Sequence, residues 1–134
     1  MDIIEIVENF GVFDNWEDKY AYLIDLGKKL PLTDDNFKTE QNEVKGCVSK
    51  VWLTIKKDDN GCIELKADSD ARIVRGLVAI VISAFNGKSL SEAKNIDIKE
   101  IFISTGLDEH LTPNRRNGFY SIIEKVDKFI KANI

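Results

Sequence analysis

The sequence predicts an α/β (α+β) fold in which helices cover a small antiparallel sheet. Residues 51–67 alternate apolar and polar side chains on either side of the pair Asn60-Gly61, which is typical of a β-hairpin. Each strand keeps one apolar face, so a helix must cover the sheet. Two segments with helical periodicity, residues 71–85 and 113–130, can do so.

Two helices are predicted before the hairpin. A short one runs from about Asp2 to Asn9 and ends near Gly11. Asp14 and Glu17 have the spacing of a capping box that opens a second helix. Pro31 closes this helix. The residues that recur at helical spacing within it are Trp16, Tyr20, Leu23, Ile24, Gly27 and Leu30.

The chain between Thr33 and Lys45 is polar and without periodicity, which predicts a surface loop leading to Cys47. Cys47 therefore falls where this loop becomes the first strand. The hairpin then turns through residues 58–61.

Four helices are predicted after the hairpin. The segment from Ala71 to Phe85 is apolar nearly all round, with Asp68 or Ser69 as its cap. Two short helices follow from the pairs Ser89 with Glu92 and Asp97 with Glu100, and Thr112 with Pro113 opens the last. That helix carries one apolar stripe, formed by Phe119, Ile122, Ile123, Val126, Phe129 and Ile130.

Composition narrows the functional class. The 134 residues suit a single domain spanning 1–134, because 43% hydrophobic content can form a core without metal or disulfide support. The net charge of -4 offers no basic field for nucleic acid or anionic lipid, so we expect protein or small-molecule partners. The acidic N-terminus and the lack of a long apolar run predict a soluble, cytoplasmic protein without a membrane contact.

The thiol of Cys47 is the main candidate for chemistry. It lies between Lys45-Gly46 and Ser49-Lys50 rather than inside an apolar run, where burial would keep a sulfur inert. Lowering a thiol pKa from about 8.5 to about 7 takes roughly 2 kcal/mol of local stabilisation, which nearby cations can supply.

Other thiol chemistries receive less support from the sequence. His110 is the single histidine and is expected at the surface or in a cap rather than as a catalytic base. Cys47, Cys62 and His110 lack the spacing of a zinc or cluster site. A disulfide between the two cysteines remains open, although Cys62 is interpreted first as a structural thiol after the turn. A nucleophile without a resident base can still attack an activated sulfur that another protein delivers.

Four separated blocks of the sequence resemble the SufE family of sulfur-acceptor proteins. They are Trp16 with Tyr20 and residues 26–31, residues 42–52 around Cys47, residues 68–77 beginning Asp68-Ser69-Asp70, and Leu107 with residues 110–118. The resemblance implies a two-layer sandwich, shared with iron-sulfur scaffold proteins, in which helices cover an antiparallel sheet.

The same resemblance implies the function. Cys47 would take persulfide sulfur from a pyridoxal-phosphate-dependent cysteine desulfurase (SufS-like or related), stimulate that enzyme and pass the sulfur to a SufB-like cluster scaffold. The protein would then be an accessory factor rather than an enzyme, with no bound cofactor and no metal, since the pyridoxal phosphate belongs to the partner.

Carried over by position, Asp70 is a candidate for partner activation and Arg115 for docking, while Gly46 and Ser49 shape the loop. Asp70 could instead serve a helix start, and Arg115 could decorate an exposed turn. Two other functions stay open: an iron-sulfur scaffold, and a redox switch that uses Cys47 and Cys62.

Overall fold

Two antiparallel strands and the helices packed on them form the architecture. The computed structural model describes residues 2–31, 36–45 and 49–133. The strands are β1 (Val51–Lys57) and β2 (Ile63–Ser69). In the described residues the helices are α1 (Ile3–Val12), α2 (Trp16–Lys28), α3 (Arg72–Phe85), α4 (Leu90–Ala93), α5 (Ile98–Ser104), α6 (Leu107–His110) and α7 (Pro113–Asn133), and one 3-10 turn covers Glu40–Asn42.

The predicted hairpin is confirmed, and its turn is longer than a two-residue Asn-Gly connection. β1 and β2 pair in a register that runs from Val51 opposite Ser69 to Lys57 opposite Ile63. The turn is organised by Asp58, whose carboxylate accepts hydrogen bonds from two backbone N–H groups beyond it, at 2.9 and 3.0 Å. Within the described residues only glycines have positive φ, so the turn takes its left-handed residue from Gly61 alone.

Four predicted helix starts are confirmed by their caps. The Asp2 side chain accepts from a first-turn N–H of α1, and Ser89 and Glu92 form a reciprocal capping box on α4. Asp97 caps α5, and Thr112 accepts the N–H of Arg115 at 3.3 Å at the start of α7.

Two predicted caps are wrong. Asn15, not Asp14, caps α2, and its side chain accepts the N–H of Asp18 at 2.9 Å. α3 has Ala71 as its N-cap residue and no side-chain cap, because Asp68 and Ser69 continue β2 instead.

The core lies between the sheet and the helices. The hairpin buries Val51, Leu53, Ile63, Leu65 and Ala67, and α3 packs on β2 while also contacting α1, α2 and α7. The largest fully buried side chains are Phe10, Phe102, Phe119, Ile6, Leu23, Leu53, Ile63, Leu77, Ile80, Leu107, Ile122 and Val51. The predicted α+β fold with helices over an antiparallel sheet is therefore confirmed. No helix in the described ranges is both long enough and apolar enough to cross a bilayer.

α2 and α3 approach each other at two glycines. A Cβ on Gly76 would lie 2.2 Å from the carbonyl oxygen of Leu23, and a Cβ on Gly27 would lie 2.8 Å from the backbone nitrogen of Gly76. Neither position can carry a side chain without moving backbone. The contact brings the C-terminal half of α2 against the start of α3, and this end of the molecule holds the candidate site.

Candidate functional site

The candidate site is the segment that joins the 3-10 turn to β1. Cys47 and Gly46 lie within residues 46–48, which fall outside the described residues, so their predicted roles stay predictions. Both flanks of the segment are described. The N–H of Val44 donates to the carbonyl of Val51 at 2.8 Å, and Glu43 forms an antiparallel bridge with Trp52. Val44, before the Cys47 segment, and Val51, after it, are therefore hydrogen-bonded neighbours.

The returning flank is held by the end of β2. The N–H of Lys50 donates to Oδ1 of Asp70 at 3.1 Å, and the N–H of Asp70 donates back to the carbonyl of Lys50 at 3.2 Å. The hydroxyl of Ser69 donates to the same carbonyl at 2.7 Å. Ser49, predicted to shape the loop, is half-buried immediately before this anchor. The structure therefore places Asp70, a candidate for partner activation, on the backbone three residues after Cys47.

Asp68 sits behind this anchor as a buried carboxylate. Its Oδ1 lies 3.2 Å from Nε of Arg75 and its Oδ2 lies 3.5 Å from Nζ of Lys38. The N–H of Ser69 also donates to Oδ1, at 2.8 Å. A buried charge is tolerated when it is paired and hydrogen-bonded, and Asp68 meets both conditions. Lys38 also lies 5.4 Å from the ring centroid of Trp52.

Sequence reasoning misses this ion-pair cluster. Asp68 continues the alternation of β2 at a position expected to be exposed, so the strand pattern offers no signal that its carboxylate is buried. Capping rules interpret the position as the start of a helix instead.

A polar groove of about 250 Å³ borders the outgoing flank. α7 forms one wall, and the residues before Cys47 form the other. Its lining comprises Glu43, Val44, Lys45, Ser121, Glu124, Lys125 and Lys128. Lys45 lies 3.5 Å from Glu43 and Lys128 lies 3.2 Å from Glu124, so the charges in the groove are largely paired.

Lys125 joins this groove to the sheet. Its Nζ donates to the carbonyl of Leu53 at 3.0 Å, across 72 residues of sequence. Burial lowers the pKa of Lys125 from its ordinary value of 10.5. The contact ties α7 to β1 immediately below the candidate segment, and nothing in the local sequence indicated it.

Arg115 occupies the first turn of α7 and is exposed. Its backbone N–H donates to the hydroxyl of Thr112. Helical geometry puts its side chain about 120° around the helix axis from that of Ser121. Arg116, by contrast, is half-buried, with its Nε enclosed. Of this pair, Arg115 is the guanidinium available to a partner, and its docking role stays a prediction.

Residues from the first and last blocks of the family pattern contact each other. The ring of Trp16 stacks on that of His110 with centroids 3.6 Å apart, and the Tyr20 hydroxyl donates to the backbone carbonyl of His110. His110 is exposed, as expected of a surface histidine. These aromatic residues therefore tie α2 to the end of α6.

Cys62 lies at the turn end of the hairpin. Its N–H donates to Asp58 and it forms a backbone bridge with Ser89. Lys50, three residues after Cys47, lies at the opposite end of β1, and seven strand residues span roughly 20 Å. This separation disfavours the Cys47–Cys62 pairing. In the part of the chain that the structure describes, no three His, Cys, Asp or Glu side chains are grouped as metal ligands.

Comparison with known proteins adds to this geometry. Residues 4–130 match the family model described as SufE, an Fe-S metabolism associated domain. An uncharacterized SufE-like protein of Rhizobium meliloti is 43% identical over 125 residues, covering 91% of this chain and 89% of that protein. A second uncharacterized SufE-like protein, from Rhizobium etli, is 43% identical over 131 residues, covering 96% and 88%.

A similar fold also occurs among solved structures. The solution structure of a hypothetical protein from Thermus thermophilus superposes with a TM-score of 0.77 at 16% identity, covering 98% of this chain and 94% of the other. At this identity the likeness concerns the fold alone.

Proposed function

Because the chain belongs to the SufE family of sulfur-transfer proteins in Fe-S metabolism, we propose that Cys47 accepts persulfide sulfur from a pyridoxal-phosphate-dependent cysteine desulfurase. The carrying observation is that the family match spans residues 4–130 and so includes the Cys47 segment together with both of its anchors. The protein would stimulate the desulfurase by removing its persulfide and would pass the sulfur to a SufB-like cluster scaffold.

The transfer needs a nucleophile and no resident cofactor. The Cys47 thiolate attacks the outer sulfur of the donor's Cys–S–SH group, a new S–S bond forms, and the donor's S–S bond breaks to release its thiolate. The proton lost from Cys47 balances the one that the donor thiolate takes up. The step needs no oxidant, reductant or metal. The pyridoxal phosphate would belong to the partner desulfurase.

The anchored flanks support this proposal. Val44 and Val51 are joined by a backbone hydrogen bond, and Lys50 is held by Ser69 and Asp70. These contacts hold the described residues on both sides of Cys47 to the sheet, so the position of the thiol in the chain is fixed at both ends by the scaffold.

The test is sulfur loading of the purified protein. After incubation with a cysteine desulfurase and free cysteine, peptide mass spectrometry should find one additional sulfur on Cys47, removable by a thiol reductant. Cys47→Ser should lose acceptance and keep the melting temperature of the wild type. Cys62→Ser is the matched control and should load normally. An unmodified Cys47 in the presence of an active desulfurase would contradict the proposal.

A further inference from the structure

A basic cavity opens between α2 and α3. It measures about 220 Å³ and is lined by Ile24, Gly27, Lys28, Arg72 and Arg75. Three of these five residues are cationic, although the whole chain carries a net charge of -4. Two helices thus contribute cations to one concavity, and the carboxylates paired with Lys28 and Arg75, which are Asp25 and Asp68, do not line it.

Arg75 is the fixed member of this set. Its Nε lies 3.2 Å from Oδ1 of the buried Asp68, which orients the guanidinium. This contact is an ion pair without a hydrogen bond at Nε, and the planar guanidinium also carries two terminal nitrogens whose N–H groups can donate to another acceptor. Arg75 also lines the cavity, where such an acceptor would lie.

Lys28 and Arg72 are the adaptable members. Lys28 contacts Asp25 at 3.8 Å with both side chains more than 60% exposed, and such a surface pair is weak and readily exchanged. Arg72 is exposed in the first turn of α3. Ile24 supplies an apolar wall, and the glycine contact between the helices keeps side-chain bulk out of the floor.

The basic cavity lies beside the anchor of the candidate segment. Arg72 follows Asp70 by two residues, and Asp70 binds the backbone of Lys50 at 3.1 Å. Arg75 forms an ion pair with Asp68, and Asp68 lies opposite Trp52 in the pairing of β1 with β2. A protein that contacts the anchor at Lys50 and Asp70 from this side would therefore meet these cations.

We propose that the basic cavity binds a carboxylate side chain of the protein that delivers sulfur to Cys47. A carboxylate matches the fork of an arginine in shape and charge, and a neighbouring ammonium adds a third donor. The cavity admits one acidic side chain, with its methylene groups against Ile24. This inference rests on the proposed function and adds to it a recognition site on the acceptor, outside the Cys47 segment.

The experiment measures sulfur transfer from a purified cysteine desulfurase as the acceptor concentration is varied. For Arg72→Glu we expect the concentration at half-maximal transfer to rise about tenfold, because charge reversal opposes a docked carboxylate. Lys28→Glu should act in the same direction. Lys94→Glu, the same charge change at an exposed residue of another surface, should resemble the wild type. Raising the salt concentration should weaken wild-type transfer more than that of Arg72→Glu.

Two further measurements separate the possible failures. A small-molecule persulfide should load Cys47 equally in the wild type and in Arg72→Glu, because it does not need the cavity. Unchanged melting temperatures would show that both variants fold. Equal half-maximal concentrations for Arg72→Glu, Lys28→Glu and Lys94→Glu, with the wild type accepting sulfur normally, would overturn the cavity assignment alone. A wild type that takes no sulfur from the desulfurase would overturn both proposals.

Discussion

Asp70 and Lys50 exchange two hydrogen bonds, at 3.1 and 3.2 Å, and so close the returning flank of the Cys47 segment onto the end of β2. One of the two uses the Asp70 side chain, which is exposed. The link can therefore be altered by substitution without opening the core.

We predict that Asp70→Ala loosens this flank with little loss of stability. Removal of an exposed side-chain hydrogen bond should cost about 1 kcal/mol or less of unfolding free energy. Amide hydrogen exchange at Lys50 should become faster because its N–H loses this acceptor, and the rate of sulfur acceptance should change more than stability does. Asp70→Asn retains an acceptor oxygen and should restore the wild-type exchange rate.

Asp68→Ala is the contrasting variant. It leaves Arg75 and Lys38 without the buried carboxylate they share, so unfolding free energy should fall by about 3 kcal/mol. If Asp70→Ala lost as much stability as Asp68→Ala, Asp70 would be needed for folding and would not act only by holding Lys50.

Gly76→Ala should strongly destabilise the protein. Its Cβ would lie 2.2 Å from the carbonyl oxygen of Leu23 and 2.7 Å from that residue's Cγ, so the α2–α3 contact would have to open. Overpacking of this kind costs roughly 1–3 kcal/mol and sometimes more.

Gly11→Ala is the control for this prediction, because no atom lies within 4 Å of the added Cβ. Alanine should stabilise α1 by about 0.5–1 kcal/mol there. Urea unfolding of both variants measures the difference. Similar stability changes of one sign at the two glycines would contradict the close contact between α2 and α3.

Lys125 should give stability a pH dependence at alkaline pH. Burial lowers its pKa below 10.5 in the folded state, so between that lowered pKa and 10.5 the unfolded chain binds more protons than the native one. Unfolding free energy attributable to Lys125 therefore rises with pH through this window. The wild type should gain stability relative to Lys125→Met as the pH increases, as measured by chemical denaturation at a series of pH values. A difference that stayed constant or shrank would contradict the assignment.

Oxidation should not pair the two cysteines within one molecule. Cys62 belongs to the turn end of the hairpin, and Lys50 lies at the far end of β1. Mild oxidant followed by thiol labelling and intact mass analysis should find no intramolecular disulfide. A Cys47–Cys62 bridge formed in native buffer would instead favour the redox-switch hypothesis.

The sequence predicted local features well. The Ser89 and Asp97 caps and the start of α7 at Pro113 follow from residues within four positions of one another, and the hairpin follows from alternation along residues 51–67. The structure contains all of them. The capping predictions were wrong where neighbouring residues could accept the same backbone hydrogen bonds. Asn15 competes with Asp14 at α2, and β2 continues through Asp68 because that carboxylate finds partners in Lys38 and Arg75.

The candidate site could be predicted only in part. The thiol and its cationic neighbours are visible in one short stretch, whereas the anchors of that stretch come from elsewhere in the chain. The contact of Asp70 with Lys50 spans 20 residues, and that of Lys125 with Leu53 spans 72. Periodicity and capping rules describe neighbours in sequence, so they contain no signal for contacts of this length.

The direct approach of α2 and α3 at Gly27 and Gly76 has a mechanical consequence. With backbone against backbone, neither helix can slide along the other without a steric collision, so Lys28 and Arg72 keep a common frame of reference. The backbone positions that carry the three cations of the basic cavity should therefore keep their spacing under thermal motion, while the exposed side chains of Lys28 and Arg72 adjust to a partner.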